Sequence, residues 1–205
     1  MGYRIIVGLG NPGKLYESTR HNAGFILCDM FSQKHHADEW ITRPDYTSCN
    51  IRVKGQSLVV MKPLSYMNRS GFPVARVLRE KSICPEEMIV IHDDLDLDSG
   101  RVKIKIDGGT AGHLGLQSII DCIDTDKFTR IRVGIGHPED DVESRTYVLS
   151  KPVDAVDFLA GLQTAESALE TILFEGAIAA MNRYNQRRIK PKDDETSEST
   201  ETMKR

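Results

Sequence analysis

The sequence predicts a single α/β domain with a central mixed β-sheet flanked by helices, and three observations carry that prediction. Short apolar or alternating runs, bounded by glycine, proline or acidic turns, recur at 4–9, 48–53, 57–62, 88–92, 101–106 and 130–136. Several of the stretches between them space their apolar residues at helical intervals instead. The chain has 205 residues, 40% hydrophobic and 28% charged, which is enough apolar material for one sizeable core. Alternation of the two periods is the pattern of α/β architecture.

The elements follow in order. RIIVGL at 4–9 is a short buried strand broken by Gly10, Pro12 and Gly13. From His21 to His36, Phe25, Ile26, Cys28, Met30 and Phe31 stand among polar residues, which predicts a helix. SCNIRV at 48–53 and SLVVMK at 57–62 predict a hairpin, with Lys54-Gly55-Gln56 as its turn. Residues 70–81 predict a helix with Val74, Ala75, Val77 and Leu78 on one side. After a break at Pro85, MIVIH at 88–92 is a buried strand ending in Asp93-Asp94.

RVKIKI at 101–106 alternates, so Lys103 and Lys105 share one face of a strand. A glycine-rich loop at 108–115 leads into the helix LQSIIDCI, and RIRVGIG at 130–136 is a further strand. Residues 153–184 predict one long or two shorter amphipathic helices. From 187 the chain is polar (RRIKPKDDETSESTETMKR), so residues 1–186 are expected to form the domain and 187–205 a disordered tail.

Charge nearly cancels at −3, from 27 basic and 30 acidic residues, which excludes a bulk polycation. Any nucleic-acid contact must use a local basic patch. The cysteines at 28, 49, 84 and 122 form no C-x-x-C pair, which excludes zinc-ribbon and thioredoxin-like readings. MGYRIIVGLGNPG lacks the apolar core of a signal peptide, and no stretch approaches the roughly 18 apolar residues of a membrane helix. A cytoplasmic protein with reduced cysteines and no membrane contact is expected.

Gly8-x-Gly10-x-x-Gly13 spells a dinucleotide fingerprint, but a helix must open at once for its amides to meet a pyrophosphate. Asn11-Pro12 occupies the middle, Lys14 to Arg20 has no helical stripe, and the nearest acidic candidate, Asp29, lies inside a predicted helix. Asp94-x-Asp96-x-Asp98 resembles the start of a calcium loop, yet Ser99 stands where glycine is needed and Lys105 where a bidentate Glu is needed. An acidic turn is expected there. His21, His92 and His113 each sit at a strand end or in a glycine-rich loop, where α/β proteins place their sites. No H-x-x-x-H spacing links them, so no metal site is expected.

Asn11, Asn22 and Asn68 lie among glycines or beside other reactive side chains. Neutral amides converging with a His and an Asp suit hydrolysis of an uncharged ester. The imidazole takes a proton from water, the carboxylate supports the imidazolium, and amide N–H groups meet the oxyanion. No G-x-S-x-G elbow is present and no cysteine has a catalytic context, so water rather than a side chain is the expected nucleophile.

VGLGNPG at 7–13, Tyr16, TRHNAG at 19–24, KPLSYMNRSG at 62–71, HDDLDLDSG at 92–100 and RVGIGHP at 132–138 resemble the bacterial-type peptidyl-tRNA hydrolases. The match runs in order over residues 4–184. The resemblance implies a monomeric, metal-free, cofactor-free enzyme that cleaves the ester between a peptide and the 3′ ribose of tRNA. It implies His21 as general base, polarised by Asp93, with Asn11 and Asn68 lining the site and holding His21. Tyr16, Tyr66, Met67, Asn68, His113 and Leu114 fall at positions of the substrate cleft. Lys103, Lys105 and Arg132 match positions that hold a tRNA phosphate.

One segment departs from the family pattern. Where the family reads like GGGHGGHNGL, this chain has DGGTAGHLGL at 107–116, so Leu114 replaces an asparagine that handles water or substrate. Two other readings stand beside the hydrolase: an RNA-binding module that has lost catalysis, as in the family's chloroplast intron-splicing relatives, and a nucleotide-dependent oxidoreductase.

Overall fold

The computed structural model describes residues 2–139 and 141–186. Its strands are β1 (Ile5–Gly8), β2 (Ile41–Thr42), β3 (Tyr46–Val53), β4 (Gln56–Pro63), β5 (Met88–Asp94), β6 (Val102–Ile106) and β7 (Thr129–Gly134). Its helices are α1 (Ala23–Lys34), α2 (Gly71–Glu80), α3 (Leu114–Ile123), α4 (Ser144–Val148), α5 (Ala155–Glu175) and α6 (Ala177–Tyr184). The strands form one sheet in the order β2-β3-β4-β1-β5-β7-β6.

The four central strands run parallel, and antiparallel strands close both edges, which makes the sheet mixed. Parallel strands are covered on both faces, which is why β1 and β5 are apolar runs without alternation until β5 ends in His92-Asp93-Asp94. On one face Ile6, Ile89, Ile91, Ile131 and Val133 pack with α1, α5 and α6. On the other, Ile5, Val7, Leu9 and Val90 pack with α2 and α3.

Some boundaries differ from the sequence expectation, most plainly at the hairpin turn and at the start of α3, while the two helices expected as one alternative at the C-terminal end are found. The hairpin turn is Lys54-Gly55 alone, both with positive φ, and Gln56 pairs with Val53 inside the strand. Helix α3 starts at Leu114, because the His113 side chain caps it two residues early. At the C-terminal end two helices form, separated at Gly176. The short β2 and α4 carry no signal of their own in the sequence, and the expected disorder of 187–205 lies outside the described residues.

Gly24 decides how α1 enters the fold. A Cβ there would come within 2.4 Å of both the Ile91 carbonyl oxygen and the Leu9 amide nitrogen. Only glycine lets the first turn of α1 sit directly on β1 and β5, and that seat delivers the preceding residues to the ends of those strands. No α-helix opens after Gly13 until Ala23, so the dinucleotide geometry is not formed.

Candidate active site

The loops after β1, β4 and β5 leave from the same edge of the sheet, because those three strands are parallel. Alternation along β5 turns Asp93 toward the α1 side and His92 and Asp94 toward the α2–α3 side. All three are buried. His21 comes from a single 3₁₀ turn, Arg20–Asn22, directly ahead of α1. From the other side, the glycine-rich loop folds back over β6 and β7 and brings in His113.

Asp93 joins the two histidines. His21 Nδ1 lies 2.9 Å from each carboxylate oxygen, and His113 Nε2 lies 3.1 Å from Oδ1. The tautomers follow from the network. His113 Nδ1 accepts the amide N–H groups of Gly115 (3.1 Å) and Leu116 (3.3 Å), so its proton is on Nε2 and points at Asp93. His21 therefore donates through Nδ1–H, and its Nε2 lone pair remains for a substrate proton.

The charges agree with this arrangement. Burial by itself would depress the His21 pKa, but the charge and hydrogen bond of Asp93 together outweigh it and raise the pKa. Burial would raise the Asp93 pKa, and the two histidines override it, holding the carboxyl well below the usual range. Asp93 is ionised at any pH where the enzyme would work.

Asn11 is fixed by Asn22. The Asn11 amide N–H donates to Asn22 Oδ1 at 2.8 Å, and Asn22 Nδ2 donates back to the Asn11 carbonyl at 3.0 Å. Asn11 Oδ1 in turn accepts the Met67 N–H at 2.9 Å, which ties the loop after β1 to the loop after β4. The Asn11 side chain therefore has its Nδ2 donor left for a ligand. Sequence reasoning singled out Asn22 but gave it no place in the site.

Among the described residues, the hydrogen-bond partner of the His21 ring is Asp93, while Asn68 is exposed on the turn Met67–Arg69. Met67 is buried, with its sulfur against Gly115. Tyr16 is half-buried in the turns between Gly13 and Thr19, whereas Tyr66 and Leu114 are exposed beside Met67 and His113 in the chain.

A basic cluster adjoins this set. In the β6–β7 register Lys103 faces Arg132 and Lys105 faces Arg130, which puts four cations on one face. Arg132 Nε donates to Asp94 Oδ2 at 2.6 Å, and Arg130 Nη1 donates to the Gly109 carbonyl at 2.7 Å. Beneath the loop, a cavity of about 50 Å³ is lined by His92, Asp94, Lys105, Arg130, Arg132 and residues 109–111. Arg130 was missed, although RIR at 130–132 alternates as clearly as KIK at 103–105. The acidic turn is as expected: Asp94 Oδ1 accepts the Asp96 N–H at 2.9 Å instead of facing a calcium loop.

His21, Asp93 and His113 also bring one ligand atom each within 4.8 Å of one another, a spacing a divalent metal could span. The hydrogen-bonded arrangement uses each of these atoms without one. An imidazole oriented by a buried carboxylate, with its far nitrogen unengaged among the described residues, can take a proton from water.

A sequence model of the family described as peptidyl-tRNA hydrolase matches residues 5–192. The peptidyl-tRNA hydrolase of Symbiobacterium thermophilum is 41% identical over 186 residues, covering 89% of this chain and 98% of that one. That of Syntrophotalea carbinolica is 39% identical over 188 residues, covering 90% and 97%. The crystal structure of the peptidyl-tRNA hydrolase from Acinetobacter baumannii superposes with a TM-score of 0.81 at 34% identity, covering 89% and 94%.

Proposed function

The chain belongs to the peptidyl-tRNA hydrolase family and hydrolyses peptidyl-tRNA, and from that premise we propose that His21 is its general base and Asp93 the group that orients it. The observation that carries the proposal is the Nδ1 contact to both Asp93 oxygens, which leaves Nε2 unengaged.

A water held by Nε2 gives its proton to His21 as its oxygen attacks the ester carbonyl carbon. Asp93 stabilises the imidazolium that forms, and the oxyanion receives N–H groups from Asn11 Nδ2 and Asn68. Collapse of the intermediate breaks the bond to the ribose oxygen, which takes the proton back from His21. The products are a free peptide carboxylate and a tRNA with its terminal hydroxyl restored. Proton transfer closes the cycle, so no cofactor is required.

Lys103, Lys105 and Arg132 share one face of β6 and β7, which supports their reading as the local basic patch that meets a tRNA phosphate. A groove of about 330 Å³ beside Asn11, floored by Phe25 and Ile26, has room for residues of the peptide. Among the described residues no helix is long and apolar enough to cross a membrane. A monomer working in the cytoplasm suits this substrate.

The test is release of an N-acetylated amino acid from tRNA. His21→Ala should lose roughly 10²–10⁴-fold in rate. Unchanged activity in that variant would remove the mechanism, and tRNA binding without any cleavage by wild type would favour the RNA-binding reading.

A further inference from the structure

His92 is 3% exposed and plays no part in the chemistry above. Its Nδ1–H donates to the Asp93 carbonyl oxygen at 2.7 Å, and its ring meets the His113 ring edge-on, with centroids 4.9 Å apart. Burial, with His113 adding to it, pushes its pKa down to about 3, so the ring is neutral and Nε2 carries a lone pair. That lone pair is buried and has no partner among the described residues.

The side chain lines the cavity of about 50 Å³ that Lys105, Arg130 and Arg132 also line. Arg130, only 1% exposed, likewise has a buried Nε–H without a partner. Native structures rarely leave such groups unmet. One acceptor and one donor beside the same cavity, which is wide enough for a water, call for one that accepts from Arg130 and donates to His92. A phosphate oxygen cannot take that place, because its lone pairs would face the lone pair of Nε2.

We propose that His92 is a positioning residue that couples the cation-lined cavity to the His21–Asp93–His113 set, so that engagement of Lys105 and Arg132 by a tRNA phosphate sets the alignment of Asp93 and His113. The proposal rests on the reading of those cations as the tRNA contact. A shift in the cavity moves Nε2, and the rigid ring transmits the shift to its two other contacts, the Asp93 carbonyl and the edge of His113.

The experiment compares two substrates, N-acetyl-aminoacyl-tRNA and the same ester on a CCA trinucleotide, which has no stem phosphates to reach the cations. For wild type, kcat on tRNA should exceed kcat on the trinucleotide ester by roughly 5- to 150-fold, the usual range for coupled sites. His92→Asn retains a donor near the Asp93 carbonyl but is too short to reach the cavity, so the ratio should fall toward one. His92→Gln, with a longer amide, should restore part of it. His21→Ala should abolish turnover of both substrates, and its failure to do so would count against the catalytic reading, separately from this inference.

A wild-type ratio near one overturns the coupling. So does a His92→Asn variant whose ratio is unchanged, or whose two rates fall by the same factor, as a merely structural role would require. Nitrogen-15 NMR of the wild-type protein gives a readout that needs no stable variant. An acceptor-stem RNA hairpin should move the His92 Nε2 resonance, and Lys105→Gln should remove that movement. No movement at saturating hairpin overturns the proposal.

Discussion

Replacing Asp93 by asparagine tests the proton logic of the site more sharply than deleting the base. His113 cannot change tautomer cheaply, because its Nδ1 already accepts the Gly115 and Leu116 amides at 3.1 and 3.3 Å. In Asp93→Asn the amide oxygen must therefore turn to the His113 Nε2–H. The amide NH₂ then takes the Oδ2 position, 2.9 Å from His21 Nδ1, and favours an accepting Nδ1, while the Oδ1 position is shared with His113. The His21 proton moves to Nε2, and the base disappears without any change of shape. An amide that forces the wrong tautomer on a catalytic histidine costs about 10⁴-fold in kcat, or roughly 5 kcal/mol.

Single-turnover release of N-acetylated amino acid from labelled tRNA measures the loss, and KM should change little, since Asp93 sits behind His21 rather than against the tRNA. Adding His113→Ala frees the amide to turn its oxygen back to His21, so the double variant should recover roughly tenfold over Asp93→Asn alone, about one hydrogen bond's worth. Wild-type kcat/KM should rise with pH through an apparent pKa above 6.5, because the net effect of Asp93 is to raise the His21 pKa and only the neutral ring is a base. A loss below about tenfold in Asp93→Asn, or a double variant slower than the single one, would refute the tautomer argument.

Lys105→Gln should reduce the salt dependence of tRNA binding by about one counterion, measured by fluorescence anisotropy across salt concentrations, and an unchanged slope would deny the phosphate contact. Arg132→Gln should do the same and also destabilise the fold more than Lys105→Gln, because it strips Asp94 of its 2.6 Å partner; equal melting temperatures would contradict this. Leu114 is 59% exposed, so Leu114→Asn should leave stability within about 0.5 kcal/mol and raise kcat/KM roughly two- to tenfold by restoring one hydrogen bond. A neutral or slower variant would mean that the loop does not need the amide. His92, neutral when folded and with a pKa near 3, contributes stability that is present above pH 6.5 and lost as pH falls toward 3. The loss should approach ~1.4 kcal/mol per pH unit, and in urea titrations His92→Asn should flatten it between pH 6.5 and 5. His21 acts in the opposite window, since its raised pKa gives stability that is lost only as pH climbs through it.

The sheet was readable because burial is written locally. The runs at 5–8 and 88–91 are apolar on both faces because central parallel strands are covered twice, and KIK alternates because the strand at 102–106 is an edge strand with one half-exposed face, whereas RIR alternates in a central strand and buries Arg130. His21, Asp93 and Asn11 were nameable from residue type and neighbours, whereas β2 and α4 were not, being two and five residues long and too short to show a period. The resemblance to one family added the activity, and the departures at Asp107, Thr110 and Leu114 were visible only against it.

What residue types and spacing could not decide is which atoms meet. His21 and Asp93 are 72 residues apart, and they meet because β1 lies beside β5 and Gly24 lets α1 sit on both. The same packing fixes the His113 tautomer, locks Asn11 to Asn22, leaves Asn68 exposed, and buries Arg130 beside His92 at a shared cavity. Periodicity reports how much of a residue is removed from water, a property of its own element. A hydrogen bond needs two atoms from different elements at a set distance and angle, and only the order and packing of the strands supplies that.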